Sequence, residues 1–265
     1  MRFSKYNFQI LFITALIFTQ AGCQKSTTAP DVSGVASFTV VNAIPNANAI
    51  IPVINISQAI MWFSTAKTIS YGKFSEYSPV GGNDTVYAVQ RNSDTLNVGA
   101  KSGGLYYNIL PLIKGGIYSL FLCGADTSSV DNLFTIDTLP YHGPSDSTLG
   151  IRFVNLSAGS GPISVNLEGS ANGSAVSNLP YKSITGFTGY PAKSSVRSYQ
   201  FVFRDAVTGD SLTQFKITSN AIGLYYPGSP NGNNSLIFRN ITLALYGSEI
   251  PGTNTPLKVM LIANY

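Results

Sequence analysis

"IRFVNLSAG", Ile151–Gly159, and "FTVVNAIPNA", Phe38–Ala47, each place a strand-like apolar run before Val-Asn and a small, turn-prone stretch after it. One chain thus writes the same phrase twice, at Asn42 and again at Asn155. Three further matches follow in the same order in each half. "YGKFSEY" (Tyr71–Tyr77) aligns without gaps on "YKSITGF" (Tyr181–Phe187). "GLYYNILP" (Gly104–Pro111) resembles "GLYYPGSP" (Gly223–Pro230), and "IYSLFLCG", ending at Gly124, resembles "NITLALYG", ending at Gly247. The spacing between partners drifts by a few residues, as loop insertions require. Ordered self-similarity of this kind predicts two homologous units, residues 35–143 and 147–265, each near the commonest domain size. "YHGPSDST" (Tyr141–Thr148) lies between them, a polar stretch with Gly and Pro that reads as a linker.

The period inside each unit is two, not 3.6. In the first unit Ile117, Phe121 and Cys123 share one parity, and Tyr118, Leu120 and Leu122 the other. In the second, Ile151, Phe153 and Asn155 alternate with Arg152, Val154 and Leu156. "TVYAVQ" (Thr85–Gln90) and "YQFVFR" (Tyr199–Arg204) are equally strand-like, and "GGND", "VTGDS" and "SPNGNN" punctuate the runs. Only "IMWFSTAKTI" (Ile60–Ile69) suggests a short helical turn, against its β-branched and aromatic content. Many short strands per unit predict an all-β chain of two tandem antiparallel β-sandwich domains.

Composition agrees. The 265 residues are 44% hydrophobic and 11% charged, a packed chain whose polarity comes from Ser, Thr, Asn and Gly. The net charge of +4 includes Arg2 and Lys5 of a leader, and no stretch clusters Lys and Arg among aromatics. Nucleic acid is therefore not an expected partner.

"RFVNLSAGSGPISVNL" (Arg152–Leu167), the Tyr-x-x-Ile-Thr segment at Tyr181, the "GIYSLFLCG" strand and the joint between units together resemble the bacterial domain of unknown function 4397, found as tandem copies in Bacteroidetes lipoproteins. The second unit matches better at "RFVN", since the first has Thr39 where the second has Arg152. The resemblance implies immunoglobulin-like or transthyretin-like sandwiches. It transfers no catalytic residue.

The first 22 residues read as a secretory signal peptide: Arg2 and Lys5, an apolar run from Phe8 to Phe18, then Ala21 and Gly22 before Cys23. The run is too short for a membrane span, which needs about 20 residues. Ala-Gly-Cys resembles a lipobox, with Gln20 where an aliphatic residue is usual. That resemblance implies cleavage before Cys23, acylation of its thiol and new amine, and an outer-membrane lipoprotein on the periplasmic or cell-surface face. An ordinary secretory signal with an incidental Cys is the alternative. Residues 23–34 read as a polar tether with Pro30, and its roughly eleven residues after Cys23 reach at most about 35–40 Å. The chain closes on a strand, Leu257–Tyr265, so anchoring is expected to fall to Cys23 and the membrane to be a partner through its lipid.

Catalytic constellations are not legible. His142 is the single histidine and falls in the linker, where it reads as a solvated residue. A Ser-His-Asp triad would need it held by a buried carboxylate. Zinc needs three or four ligands, and beyond Cys23 there remain one His and Cys123, which reads as a buried apolar residue. Glu76, Glu168 and Glu249 stand in unlike contexts, with no spacing that pairs them as a glycosidase requires. "DTSSVDN" (Asp126–Asn132) lacks the alternating ligands of a calcium loop and reads as a turn. No enzyme activity, cofactor or metal is expected.

Aromatics are the better lead. Trp62, Tyr106, Tyr107, Tyr225 and Tyr226 are candidates for ligand contact, since Tyr and Trp offer a flat apolar face and a polar tip to sugars or proteins. Adjacent strand residues face opposite sides, so one Tyr of each pair equally suits the core. Asp followed by Ser or Thr and then an aliphatic residue or Thr resembles a Bacteroidetes O-glycosylation site. It occurs at Thr85, Thr95, Thr138, Ser147 and Ser211, and is also ordinary turn chemistry. The expectation is a structural or binding module of the cell envelope with a glycan or another envelope protein as partner. The alternatives are a glycan-binding accessory lipoprotein of a polysaccharide-uptake system and, behind it, a carboxylate-dependent hydrolase.

Overall fold

The computed structural model describes residues 34–55, 66–91, 104–143, 145–193, 195–196, 198–218, 237–252 and 255–264. The expected leader and nearly all of the tether, Cys23 included, lie outside them. So does most of Ile60–Ile69, although Ile69 itself opens a strand.

Every element among the described residues is a strand. The first half holds β1 (Ser37–Asn42), β2 (Ala49–Ile54), β3 (Ile69–Ser70), β4 (Lys73–Tyr77), β5 (Gly82–Gln90), β6 (Gly104–Leu112), β7 (Ile117–Asp126) and β8 (Ser129–Ile136). The second holds β9 (Thr148–Asn155), β10 (Ile163–Leu167), β11 (Val176–Leu179), β12 (Ser183–Ile184), β13 (Thr188–Pro191), β14 (Ser198–Asp205), β15 (Ser211–Thr218), β16 (Asn240–Tyr246) and β17 (Lys258–Ala263). In the first half the sheets run β4-β1-β7-β8 and β3-β2-β5-β6. In the second they run β12-β9-β16-β17, with β13 also on β9, and β11-β10-β14-β15. The two halves therefore repeat one strand order. Pairing is antiparallel throughout except for β1 with β7 and β9 with β16, one parallel pair in each half. Parallel neighbours need a long connection, and here the whole second sheet supplies it.

Each half is a sandwich because its two sheets share a core. Phe38, Val40, Leu120 and Leu122 of the first sheet pack on Ile50, Val86, Ala88 and Leu110 of the other. Ile151, Phe153, Leu243 and Leu245 do the same on Ile163, Val165, Phe201 and Phe203. The opposite parity is also buried. Val41, Ala43, Phe121 and Cys123 meet Val154, Leu156, Ala244, Tyr246, Met260 and Ile262 in an apolar layer between the halves. This is why β7 and β9 read as near-continuous apolar runs: both faces lie inside protein. Residues 35–265 accordingly form one compact unit.

Val-Asn recurs for a structural reason. Asn42 is fully buried; its Nδ2 donates to the carbonyls of Ala47 and Ile69, each at 3.1 Å, and its Oδ1 accepts from Ile44 N at 3.2 Å. Asn155 is fully buried too, donating to the Leu179 carbonyl at 3.1 Å and accepting from Ser157 N at 3.1 Å. Each Asn ties the end of its half's first strand to the turn that follows and to the short third strand. The shared terminal glycines have a similar cause. Gly124 and Gly247 hold φ of 133° and 119°, and a Cβ there would lie 2.1 Å from the Ser129 carbonyl oxygen and 2.6 Å from that of Pro256.

One sequence alignment does not survive the register. β6 occupies the sheet position that β15 fills in the second half, so Tyr106 and Tyr107 correspond to Thr213 and Gln214. Gly223–Pro230 lies outside the described residues. Local string identity suggested "GLYY" as the counterpart, but hydrogen-bonded neighbours define equivalence in a sheet.

Candidate functional site

The junction between the halves gathers the chain's buried polar chemistry. Ser119 on β7 corresponds to Thr242 on β16, and Asp137 after β8 to Asn264 after β17. The two pairs make the same bond. Ser119 Oγ donates to Asp137 Oδ2 at 2.6 Å, and Thr242 Oγ1 donates to Asn264 Oδ1 at 2.5 Å. Arg152 on β9 spans both. Its Nη1 and Nη2 donate to the Asp137 carboxylate at 2.7 and 3.0 Å, and its Nε donates to Thr242 Oγ1 at 2.7 Å. Thr135 Oγ1 adds a bond to Asp137 at 2.9 Å, and the guanidinium lies 4.7 Å from the Phe187 ring centroid. Arg152 is 4% exposed and Asp137 7%, so the charges survive burial only because their hydrogen-bonding capacity is met. The sequence shows Arg152 and its replacement by Thr39 in the first half. Asp137 carries no sequence signal beyond standing before Thr138.

The flanks of the junction are reciprocal. Tyr71 of the first half packs edge-on against Tyr246 of the second, centroids 5.2 Å apart. Their counterparts are Tyr181 and Cys123, and Tyr181 Oη donates to Cys123 Sγ at 3.4 Å. Equivalent residues exchange roles across the junction, the signature of an isologous contact, here within one chain. Burial pushes the Cys123 thiol up to about 11, and Tyr71 up to about 12 by burial and then by Tyr246. Tyr181 is raised too, by burial first and then by Cys123. Cys123 is fully buried and protonated at neutral pH, as its reading as an apolar residue requires.

His142 corrects its reading as a solvated linker residue: its side chain is 6% exposed. Asn240 Nδ2 donates to the Pro140 carbonyl at 2.9 Å, which turns Asn240 Oδ1 toward His142 Nε2 at 3.1 Å. Nδ1 faces Asp146 Oδ2 at 2.9 Å. The cluster closes over Gly150, where a Cβ would lie 2.1 Å from Asn240 Oδ1. Bonds from Thr148 and then His142 hold the Asp146 carboxyl below its ordinary range. Strand β16 thus captures the joint, a contact across nearly a hundred residues that local polarity could not signal.

The remaining candidates are dispersed. Tyr106 is buried in the first core, while Tyr107 is 51% exposed and edge-on to Tyr87. Tyr107 lies on the outer face of its sheet beside Ile51, Val53, Tyr87 and Val89, an apolar face whose counterparts in the second half are Gln214, Ser164, Asn166, Val202 and Arg204. The edge of β6 is partly blunted: Asn108 Oδ1 accepts from Ile109 N at 2.9 Å, and Pro111 has no N–H. Trp62, Tyr225, Tyr226 and Thr95 lie outside the described residues. Thr138 and Ser211 are exposed, and Thr85 and Ser147 half-buried. Glu76 lies on β4, Glu168 in the turn after β10 and Glu249 in the loop after β16, with Glu168 bonded to Gln200. Asp126 caps its own turn through Ser128 and Ser129. Among the described residues no three His, Cys, Asp or Glu side chains gather as metal ligands.

No family model matches the chain, and no curated protein matches it. Solved structures give weak similarities. The carbohydrate-binding module CBMbc (family CBM26) of Eubacterium rectale Amy13K, solved with maltoheptaose, is 9% identical over 86% of this chain and 97% of its own, with a TM-score of 0.26. The fimbrial anchor protein Mfa2 of Porphyromonas gingivalis is 10% identical over 86% and 97%, also at 0.26. A putative adhesin from Bacteroides ovatus is 11% identical over 84% and 95%, at 0.21. Scores this low carry no functional argument.

Proposed function

We propose that this chain is a non-enzymatic structural or binding module of the cell envelope, moored to the outer membrane through acylated Cys23. The observation that carries the module reading is the junction: two sandwiches docked through a buried apolar layer and the Arg152–Asp137 pair form one body rather than beads on a string. A body of that kind suits a strut or a platform that presents loops at a set geometry. The leader, the Ala-Gly-Cys motif and the resemblance to the domain of unknown function 4397 support the address. Several acyl chains hold a protein on a membrane without a spanning segment, at about 0.8 kcal/mol per buried CH₂. Replacing Cys23 with Ser and fractionating cells tests the anchor. Release of the protein from membranes is expected, and undiminished membrane retention overturns it.

A second reading, glycan binding, draws on Tyr107, a half-exposed ring on an apolar sheet face. A glycan array probed with the protein and with Tyr107→Ala tests it. A glycan retained by the first and lost by the second supports it, and an array without signal removes it.

A further inference from the structure

One end of the first sandwich is apolar, exposed and close to the start of the folded body. Backbone bonds knit three segments there. Ala36 N donates to the Pro79 carbonyl at 2.8 Å, Gly115 N to that of Val35 at 2.9 Å, and Ser37 N to that of Gly116 at 2.9 Å. Asp137 N bonds the Ile117 carbonyl at 2.8 Å, which brings the end of β8 to the same place. Four aliphatic side chains project from these segments: Val35 at 44% exposure, Val80 at 70%, Ile113 at 67% and Ile136 at 72%. A soluble loop end usually carries polar residues at such positions. In the second half Thr148 stands in place of Val35 and the smaller Ala263 in place of Ile136.

The charges around this end have one prevailing sign. Lys114 is exposed next to Ile113. Exposed Lys67 donates to the Glu76 carbonyl at 2.9 Å and lies over the Tyr77 ring. Of the carboxylates on the strands that reach this end, Asp137 is buried against Arg152 and Asp84 is buried in the sheet; Glu76 is exposed, and Asp126 and Asp131 lie toward the opposite end of β7 and β8. Aliphatic side chains with lysines nearby suit the boundary between lipid headgroups and acyl chains.

We propose that this end is a lipid-contacting foot: Val35, Val80, Ile113 and Ile136 rest in the headgroup boundary of the membrane that holds Cys23, with Lys67 and Lys114 at the phosphate level. The proposal rests on the lipid-anchor reading. The length of chain before Val35 selects the occupant. About eleven residues separate Cys23 from Val35, a reach of at most roughly 35–40 Å, so the anchor keeps this end near the bilayer at high effective concentration. A contact too weak to recruit a free protein then suffices to orient a tethered one. The opposite end of the same sandwich, at the Asp126–Ser129 turn, stands off by the ten residues of β7, about 30 Å.

The test uses the full-length lipidated protein in vesicles containing anionic phospholipid. Trp62, the single native tryptophan, is replaced by Phe, and a reporter is placed by Ile113→Trp or, at the far turn, by Thr127→Trp. The foot predicts blue-shifted emission at position 113 and a loss of roughly half its intensity in vesicles of brominated lipid, with position 127 unaffected. A Val80→Ser/Ile136→Ser pair added to the reporter at position 113 should reduce that quenching, and it changes only exposed side chains. Vesicle-bound protein whose reporter at 113 is as water-exposed as that at 127 overturns the foot and leaves the anchor standing. A reporter at 113 that is shielded yet untouched by brominated lipid means a protein covers the patch, which also overturns it. Failure of the protein to float with vesicles, with Cys23 unmodified by intact mass, overturns the anchor and the foot together.

Discussion

Arg152 and Asp137 come from different halves of the chain and form a two-pronged ion pair, at 2.7 and 3.0 Å, in a place water hardly reaches. Removing one partner leaves the other charged and buried. Asp137→Ala should therefore cost about 3–5 kcal/mol, measured by denaturant unfolding. An apolar pair, Arg152→Met with Asp137→Leu, should cost clearly less than the two single changes summed. Additive losses would show that the pair does not act as a unit.

The two fastening asparagines make a parallel prediction. Asn42→Ala and Asn155→Ala each strip buried backbone groups of their partners, at about 1–3 kcal/mol for each group left unsatisfied. Asn→Asp should be no better, because the lost Nδ2 donor would be replaced by an oxygen facing the Ile69 or Leu179 carbonyl. The midpoint of urea unfolding reads both.

Gly72 and Lys182 are counterparts with left-handed backbone, φ 71° and 58°. A Cβ at Gly72 would lie 2.5 Å from Tyr246 Oη. Gly72→Ala should destabilise by more than the about 1 kcal/mol of the dihedral alone, and Tyr246→Leu should recover only the steric part. At Lys182 the strain is already present and is offset by a partly exposed bond to Asp131 at 2.6 Å. Lys182→Gly should then change the melting temperature little.

Cys123 and Tyr71 set an alkaline limit. Both are acids whose folded values, about 11 and about 12, lie above the ordinary 9.0 and 10.0. The folded state therefore holds protons that the unfolded chain releases. Their contribution is fully present below pH 9 and is lost as pH rises from about 9 toward 11 and 12. The melting temperature should be level from pH 7 to about 8.5 and then fall. Cys123→Ala should flatten the first part of that decline, by at most about 2–3 kcal/mol. A thiol reagent at pH 8 should react with Cys123 only after unfolding.

The strand periods, the repeated Val-Asn and the Gly124/Gly247 pair were legible because each is set by neighbours in sequence or by a local backbone requirement. The parity of β7 was legible from Tyr118 to Cys123: Tyr118, Leu120 and Leu122 face one core, Phe121 and Cys123 the junction, while Ile117 at the strand's start is only half-buried. Half of the Tyr106/Tyr107 assignment followed from the same alternation. The correspondence of "GLYY" with a second "GLYY" did not hold, because sheet position is decided by hydrogen-bonded partners that no string comparison contains.

Local order alone therefore determined that this chain is all-β and duplicated, since side-chain alternation and turn chemistry act over a few residues. Tertiary structure decided how the two copies meet. Arg152 finding Asp137, His142 finding Asn240, and four aliphatic side chains converging at one end of a sandwich all depend on segments distant in sequence. Their meeting follows from sheet packing, whose energy is a property of the assembled layers and of no single stretch.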